Sequence, residues 1–343
     1  MNFMINIMML YIILLYPSTM IMIFTNIISC NASSWFIYWI LMELNLTAFI
    51  YLISKDPNIK PANLMNYFLI QANASMLYLF SSLFMYFNEN NFMIFPMIIS
   101  LIVKLGIFPF HMWYIKILTN LNWMNIFLIS TIQKIIPFNI INSLINYINP
   151  NYNSLMFIII TMNVIYASFM GLQSFSIKII MGYSSMIQTS WILMLMNSNE
   201  KICILYILTY ILISSSLMWL FYYLNINFLQ DLYKMKFMKI IYMYMLIMPM
   251  LSLAGLPPFT GFLMKWMAIK SMINFSFNLL MIFILSSLIS TFFYVRFTYS
   301  FFMYYFYTKK NNFKLINFNF SIPESLIYMN WFSMMFLFIY LYI

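Results

Sequence analysis

Five ionisable side chains lie inside long apolar stretches of this sequence, where a charge is costly. They are Glu43, Lys104, His111, Lys134 and Lys265. A charged side chain at the centre of a bilayer costs at least about 2.5–3.5 kcal/mol on insertion scales, so three such lysines indicate function. Burial and a nearby carboxylate act in opposite directions on the proton affinity of an amine, so a buried lysine can load and release a proton. These residues therefore predict a proton relay.

Each of these residues also has a simpler interpretation. Glu43 lies about ten residues from either end of its predicted helix, near the midplane of a hydrocarbon core about 30 Å thick. Its sequence neighbours include no cation, so it either pairs with a cation on another helix or is a neutral, hydrogen-bonded acid. A lysine can instead extend to the interface, an alternative that is strongest for Lys265, whose depth depends on a helix break. His111 either passes protons between bulk water and Lys104 or is an ordinary interfacial histidine.

Two further pairs of polar residues are spaced four apart, which places each pair on one helix face. They are Gln71 with Ser75 and Ser184 with Gln188. Such pairs either line a hydrated path or join helices by hydrogen bonds of modest strength. Both interpretations stay open.

The elements that position the lysines are two interrupted apolar segments, 104–113 and 254–266. Both contain Gly-apolar-X-Pro-Phe, and both have a lysine in or beside the interruption. Glycine relaxes a helix and proline removes a backbone donor, so each segment predicts a broken helix with an unwound stretch, at 255–259 in the second case. Two Gly/Pro-interrupted helices at corresponding places in two halves are typical of inverted-repeat transporters. We expect one repeat at about 1–145 and another at about 153–300.

The composition predicts an all-α, polytopic transmembrane bundle that fills residues 1–343 as one antiporter-like domain. Of 343 residues, 65% are hydrophobic and 6% are charged, against roughly 45–50% and 25% in soluble domains. At about twenty residues per span, the sequence predicts eleven helices. They are 2–24, 33–54, 62–86, 92–111, 122–145, 153–172, 176–196, 201–224, 240–272, 275–300 and a C-terminal helix at 323–342.

The net charge of +10 indicates membrane topology rather than nucleic-acid binding, because the basic residues are sparse and lie mostly between apolar segments. With the N-terminus inside, eleven basic residues fall on the inner side and two, Lys201 and Lys270, on the outer side, as the positive-inside rule requires. The inner cluster 234–239 would contact lipid headgroups. No Lys or Arg precedes Lys55, so we expect neither a signal peptide nor an Arg-rich transit peptide.

The cysteine and histidine content argues against a redox centre. The chain has two cysteines, Cys30 and Cys203, with no CxxC pattern, and the single histidine His111. A four-thiolate iron–sulfur site or a bis-histidine haem cannot be assembled from these residues. We expect no metal site here.

Several motifs together resemble those of a known family, subunit 2 of mitochondrial NADH:ubiquinone oxidoreductase (complex I). The members of this family are antiporter-like subunits of the membrane arm. The motifs are Met42-Glu43-Leu44-Asn45, Lys104-Leu105-Gly106 with Pro109-Phe110-His111-Met112-Trp113, Gln133-Lys134 with Pro137, and Gly255-Leu256-Pro257-Pro258-Phe259-Thr260-Gly261-Phe262 with Lys265-Trp266. The resemblance implies that Glu43 pairs with Lys104, that Lys134 is the central relay and that Lys265 is the distal site.

The resemblance also implies partners and a location. It implies a subunit of a proton-translocating NADH:ubiquinone reductase in the mitochondrial inner membrane, with the N-terminus on the matrix side. NADH, FMN, iron–sulfur clusters and ubiquinone would be bound by other subunits, and no cofactor by this chain. The partners would be other membrane-arm subunits and lipids, with cardiolipin as one candidate, and not nucleic acid. Two alternatives stay open, a free-standing cation/proton antiporter and a structural membrane-arm subunit that does not pump.

Overall fold

A computed structural model describes residues 17–56, 59–88, 93–145, 150–229, 231, 240–273 and 277–310. Within those ranges the chain is helical, and strand-like pairing is limited to one bridge between Ser176 and Phe228. The chain divides into two compact units, the first ending at Asn163 and the second beginning at Val164.

The described helices of the first unit are short where the sequence is interrupted and long elsewhere. They are α1 (Pro17–Cys30), α2 (Trp35–Ser54), α3 (Pro61–Asn88), α4 (Ile94–Leu105), α5 (Met112–Asn120), α6 (Trp123–Ser130) and α7 (Ile132–Ile145). Helix α8 (Pro150–Gln173) crosses the division between the units. Helix α7 is central to the first unit, since it packs against α1, α2, α4 and α6.

The second unit is arranged around one almost fully buried helix. Its described helices are α9 (Ile177–Ser198), α10 (Glu200–Leu224), α11 (Ile240–Ala254), α12 (Thr260–Met272) and α13 (Phe277–Lys310). Helix α9 is buried over almost its whole length, and it packs against α10, α12 and α13. A helix buried on all sides is the core of its bundle.

Seven helical segments in the described ranges are long and apolar enough to cross a membrane. They are Trp35–Ser54, Pro61–Tyr86, Trp123–Ile145, Ser154–Gln173, Ile177–Ser198, Glu200–Leu224 and Phe277–Ser300. Helices of this length satisfy their own backbone hydrogen bonds, which is what a lipid environment demands. The chain is therefore a multi-pass, all-helical membrane protein.

The two glycine interruptions have the same local structure. Gly106 and Gly255 have positive φ angles of 66° and 79°, a conformation that glycine adopts without steric cost. Each glycine donates to the carbonyl three residues back, and the next residue donates to the carbonyl five residues back, at 3.0–3.3 Å. This is the Schellman pattern that ends helices at a left-handed residue. Each interruption also contains a cis X-Pro peptide bond.

The helix boundaries differ from the sequence prediction around the first interruption. The predicted helix 92–111 ends at Leu105, because Gly106 takes the left-handed conformation. Residues Met112–Asn120 then form α5, which the sequence did not predict because nine residues are too few for a twenty-residue window. The non-helical residues between α11 and α12 are 255–259, the segment that the sequence singles out.

Other differences lie at helix ends and in one helix interior. Helix α1 continues to Cys30 rather than ending at 24, and α13 continues to Lys310 rather than ending at 300. The predicted helix 122–145 is interrupted at Thr131, whose amide and hydroxyl both donate to the Phe127 carbonyl, at 3.1 and 2.6 Å. Such threonine back-bonding bends helices. The predicted start at 2–16 and the helix 323–342 lie outside the described residues.

Candidate functional site

Lys104 of α4 and Lys134 of α7 line the same cavity, which has a volume of about 20 Å³. A cavity of this size can hold about one water molecule. Three side-chain amides, those of Asn45, Gln71 and Gln133, also line it. The structure thus brings together two lysines that lie thirty positions apart in the sequence.

The first interruption is stable because its backbone donors have partners. The Phe108 amide donates to the side-chain oxygen of buried Asn163 at 2.9 Å, and the Phe110 amide donates to the Ile107 carbonyl at 2.8 Å. The Trp113 indole donates to the Val103 carbonyl at 3.1 Å, which ties α5 to the last turn of α4. Non-helical backbone at membrane depth is tolerated when it is satisfied in this way inside the protein.

Lys134 lies on the aromatic face of a tyrosine. Its side chain is 3% exposed, and its Nζ lies 4.6 Å from the centroid of the Tyr114 ring. That distance is within the range of a cation–π interaction. The Lys134 amide donates to the Thr131 carbonyl at 3.1 Å, so the helix is tightened just before the lysine, and Pro137 lies inside the same helix.

Glu43 and Lys104 lie close to each other. An ionised Glu43 would be near enough to attract the Lys104 ammonium. Within the described residues, however, the two side chains do not form an ion pair with an N–O distance of 4.0 Å or less. Glu43 is absent from the cavity lining, and its Oε1 is buried with no hydrogen-bond partner in the described part of the chain. The structure therefore places the two groups near each other without direct contact.

Lys265 is bound to the end of the helix that precedes it. Its side chain is 8% exposed, and its Nζ donates to the carbonyl of Ala254, the last residue of α11, at 2.8 Å. A cation at a helix C-terminus is stabilised by the carbonyls and the helix dipole. A Cβ at Gly255 would lie 2.9 Å from the Lys265 Nζ and 2.8 Å from its Cδ, so glycine leaves space for the lysine.

Lys265 lines a second cavity, which also has a volume of about 20 Å³. Gln188, Tyr206 and Ser252 contribute polar groups to its wall. The Tyr206 hydroxyl donates to the Gln188 Oε1, and both side chains are buried. Lys265 therefore shares its cavity with an amide–phenol pair, whereas Lys104 and Lys134 share theirs with three amides and with Tyr67 and Tyr114.

His111 lies immediately before α5, outside the lining of the Lys104–Lys134 cavity. Its ring stacks on Phe108 with centroids 5.9 Å apart, and its side chain is 4% exposed. The structure thus buries His111 near the interruption and does not bring it into the cavity.

The two polar pairs divide into cavity-lining and helix-bonded residues. Gln71 lines the first cavity and Gln188 lines the second. Their serine neighbours donate to carbonyls of their own helices, Ser75 to Ala72 at 2.7 Å and Ser184 to Met181 at 2.8 Å. The amides, rather than the serines, face the lysines.

Sequence reasoning missed Tyr114 and Tyr206. The chain has 27 tyrosines, and no feature of the sequence marks these two. Within the described ranges, no group of three or more His, Cys, Asp or Glu side chains could hold a metal. Cys30 and Cys203 are both free thiols.

Comparisons with known proteins agree with this architecture. A family model described as "NADH:quinone oxidoreductase/Mrp antiporter, TM" matches residues 32–290. The chain is 36% identical over 272 residues to NADH-ubiquinone oxidoreductase chain 2 of Rhipicephalus sanguineus, covering 79% of this chain and 84% of that one. It is 32% identical over 308 residues to the chain 2 of Anopheles gambiae, covering 86% and 87%.

A solved structure shares the fold. A chain of respiratory complex I from Thermus thermophilus with bound aureothin matches with a TM-score of 0.75 and 16% identity, covering 89% of this chain and 74% of that one. Most of the described helical arrangement therefore recurs in a respiratory membrane complex. On these grounds the chain belongs to the NADH:quinone oxidoreductase/Mrp antiporter family and is a relative of the NADH-ubiquinone oxidoreductase chain 2 proteins.

Proposed function

We propose that this chain is a core membrane-arm subunit of a proton-pumping NADH:ubiquinone oxidoreductase, complex I of the respiratory chain, in the mitochondrial inner membrane. The observation that carries the proposal is the buried cavity that Lys104 and Lys134 share. The names of its relatives supply the complex. NADH oxidation and quinone reduction take place in other subunits, and this chain contributes no redox centre.

The same proposal covers the membrane topology. Helices α4 and α5 together form one discontinuous span, and α11 and α12 form the other, within eleven spans built as two inverted repeats. The matched glycine motifs at Gly106 and Gly255 support this interpretation. The N-terminus lies on the matrix side, as the distribution of basic residues predicts. Other membrane-arm subunits, and lipids such as cardiolipin, are the partners.

The relay exchanges one proton between two amines. Two ammonium groups facing one small cavity repel each other, so protonation of one favours deprotonation of the other. The Lys104 ammonium gives a proton to a water in the cavity, and the water gives a different proton to the neutral Lys134 amine. The Tyr114 ring then stabilises the new charge. Lys265 acts as the distal site and His111 as an entry or exit group for protons.

Glu43 supplies the switch in this proposal. Moving a proton outward against about 150 mV costs roughly 3.5 kcal/mol, at about 2.3 kcal/mol per 100 mV. Losing one partner of a buried ion pair costs about 3–5 kcal/mol. Making and breaking a Glu43–Lys104 pair is therefore energetically sufficient. The described arrangement, in which the two groups lie near each other without contact, corresponds to the separated state.

The test is Lys134→Met in the fully assembled complex, reconstituted in vesicles, with protons translocated measured per NADH oxidised. Methionine approximates the lysine stem without its charge, so assembly should survive. We expect proton translocation through this chain to be lost. Lys201→Met, which changes an exposed lysine on α10, is the matched control and should leave the ratio unchanged. A normal ratio with Lys134→Met would show that the buried lysines are packing features of a structural subunit.

A free-standing cation/proton antiporter is the second candidate, because the matching family model also names Mrp antiporters. It would use the same cavities. Native-gel migration with mass spectrometry distinguishes the two. The proposed function requires this chain to migrate only within a large complex that contains NADH-oxidising subunits.

A further inference from the structure

Asn45 and Gln133 form a hydrogen bond between the helix that carries Glu43 and the helix that carries Lys134. The Gln133 Nε2 donates to the Asn45 Oδ1 at 3.1 Å and lies 3.4 Å from the Asn45 backbone carbonyl. The Asn45 side chain is 2% exposed. Asn45 is the last residue of the motif Met42-Glu43-Leu44-Asn45, and Gln133 directly precedes Lys134. Each of these two motifs therefore contains an amide that the relay described above does not use.

Both amides also line the cavity that Lys104 and Lys134 share. Their mutual bond uses the N–H of Gln133 and the oxygen of Asn45. The other half of each amide, an acceptor on Gln133 and a donor on Asn45, stays available for a molecule inside the cavity. A bound water needs about two to four polar partners, and this cavity offers two amines and three amide groups, those of Asn45, Gln133 and Gln71.

We propose that the Asn45–Gln133 pair is a positioning pair, which binds and orients the water that carries a proton between Lys104 and Lys134. This inference rests on the proposed function and adds to it a role for two residues. The Gln133 oxygen accepts a hydrogen from the water, and the Asn45 N–H donates to the water oxygen. A water held in this way takes a proton from one lysine as it gives a proton to the other.

The chemistry of the amide suits this role. A side-chain amide is neutral and neither gains nor loses a proton near neutral pH, so it orients the water without trapping the proton. A carboxylate at either position would instead bind an ammonium group directly. A hydrocarbon side chain at either position would leave the water with one partner fewer.

The experiment compares Gln133→Met with unmodified complex in reconstituted vesicles. Methionine matches glutamine in length and flexibility, so the cavity keeps its shape while the hydrogen bond is lost. We expect proton translocation to slow about twofold to tenfold, the range that corresponds to the net worth of one hydrogen bond. The solvent deuterium isotope effect on translocation should increase, because proton transfer across the cavity becomes more nearly rate-limiting.

Asn139→Leu is the matched control. Asn139 lies on the same helix, and its Nδ2 donates to the Ser29 Oγ of α1 at 2.8 Å, outside the cavity lining. The control removes an interhelical amide bond of the same kind, so it should reduce stability without changing the isotope effect. If Asn139→Leu changes translocation as much as Gln133→Met does, the pair acts by packing alone and the inference is wrong.

Exchange of the two amides provides a rescue. The double variant Asn45→Gln with Gln133→Asn keeps both amides and the total length of the two side chains. We expect it to translocate protons faster than Gln133→Met. If Gln133→Met fails to assemble, Gln133→Glu takes its place, because it keeps the size of the side chain and should slow translocation by binding an ammonium group.

The outcomes separate this inference from the proposed function. Loss of translocation in Lys134→Met together with normal rates and isotope effects in the Gln133 variants would overturn the positioning role alone. Normal translocation in Lys134→Met would overturn the proposed function itself.

Discussion

Lys104 lies two residues before the glycine of its interruption, whereas Lys265 lies ten residues after Gly255, on the helix that follows. The glycine motifs themselves are alike in their hydrogen bonds. Their lysines are held differently. Among the described residues Lys265 donates to a backbone carbonyl, at Ala254, while no such bond is formed by the Lys104 ammonium. One kind of helix end therefore supports two kinds of lysine site.

We propose that this difference suits the Lys104–Lys134 site to proton exchange and the Lys265 site to holding a charge. Lys104 is influenced by a carboxylate that it does not touch and shares a cavity with a second amine. Both influences change when a neighbouring proton moves. The partner of Lys265 is a fixed carbonyl at a helix C-terminus, which favours the charged form. We therefore expect Lys265 to release a proton less readily than Lys104, although the neutral amine could keep its bond to Ala254 through a remaining N–H.

Of the two interruptions, the one between α11 and α12 should be the more sensitive to added side-chain volume. A Cβ at Gly261 would overlap the Ser252 carbonyl oxygen, which is rigid backbone. We therefore expect Gly261→Ala to prevent assembly of the complex, as measured by its level on native gels. Gly106→Ala is the comparison, where a Cβ would lie 3.0 Å from the Tyr114 Cβ and the left-handed conformation costs about 1–2 kcal/mol. Equal loss of assembly in both variants would show that the two interruptions are equally sensitive to added volume.

Replacement of each lysine by methionine should separate the two sites further. Lys265→Met leaves the Ala254 carbonyl without its donor, and a buried unsatisfied group costs about 1–3 kcal/mol. Lys104→Met leaves no backbone group unsatisfied in the described residues. We expect the assembled complex with Lys265→Met to lose integrity at a lower temperature than that with Lys104→Met, measured on native gels after heating. The reverse order would show that the carbonyl bond contributes little.

A structural feature of these sites could be predicted from the sequence when residues next to it in the chain determine it, and could not when helix packing determines it. The non-helical stretch 255–259 could be predicted, because a glycine and two prolines act on their own backbone. The interruption at Thr131 could not, since it depends on hydrogen bonds to Phe127 that a twenty-residue window averages away. The separation of Glu43 from Lys104 depends on how α2 packs, which no local pattern encodes.

The lysines themselves were easier to predict than their surroundings. A buried charge is conspicuous in an apolar segment, so Lys104, Lys134 and Lys265 could be selected by type and position alone. Their sharing of cavities requires the tertiary structure. Tyr114 is inconspicuous in an aromatic-rich chain, and its role depends on the interruption that places α5 beside Lys134.

Replacing Tyr114 should have the smallest effect on the Lys104–Lys134 site, because its ring acts on Lys134 without exchanging protons with it. A cation–π interaction contributes about 0.5–2 kcal/mol, so Tyr114→Leu should slow proton translocation severalfold rather than abolish it. Leucine keeps the Cβ that faces Gly106, and Tyr114→Phe keeps the ring, so the phenylalanine variant should translocate at nearly the normal rate. The measurement is the rate of translocation at fixed NADH oxidation in vesicles. If the phenylalanine and leucine variants slow translocation equally, Lys134 requires the tyrosine hydroxyl rather than the ring face. The Lys104–Lys134 site would then resemble the Lys265 site, where the Tyr206 hydroxyl donates to Gln188.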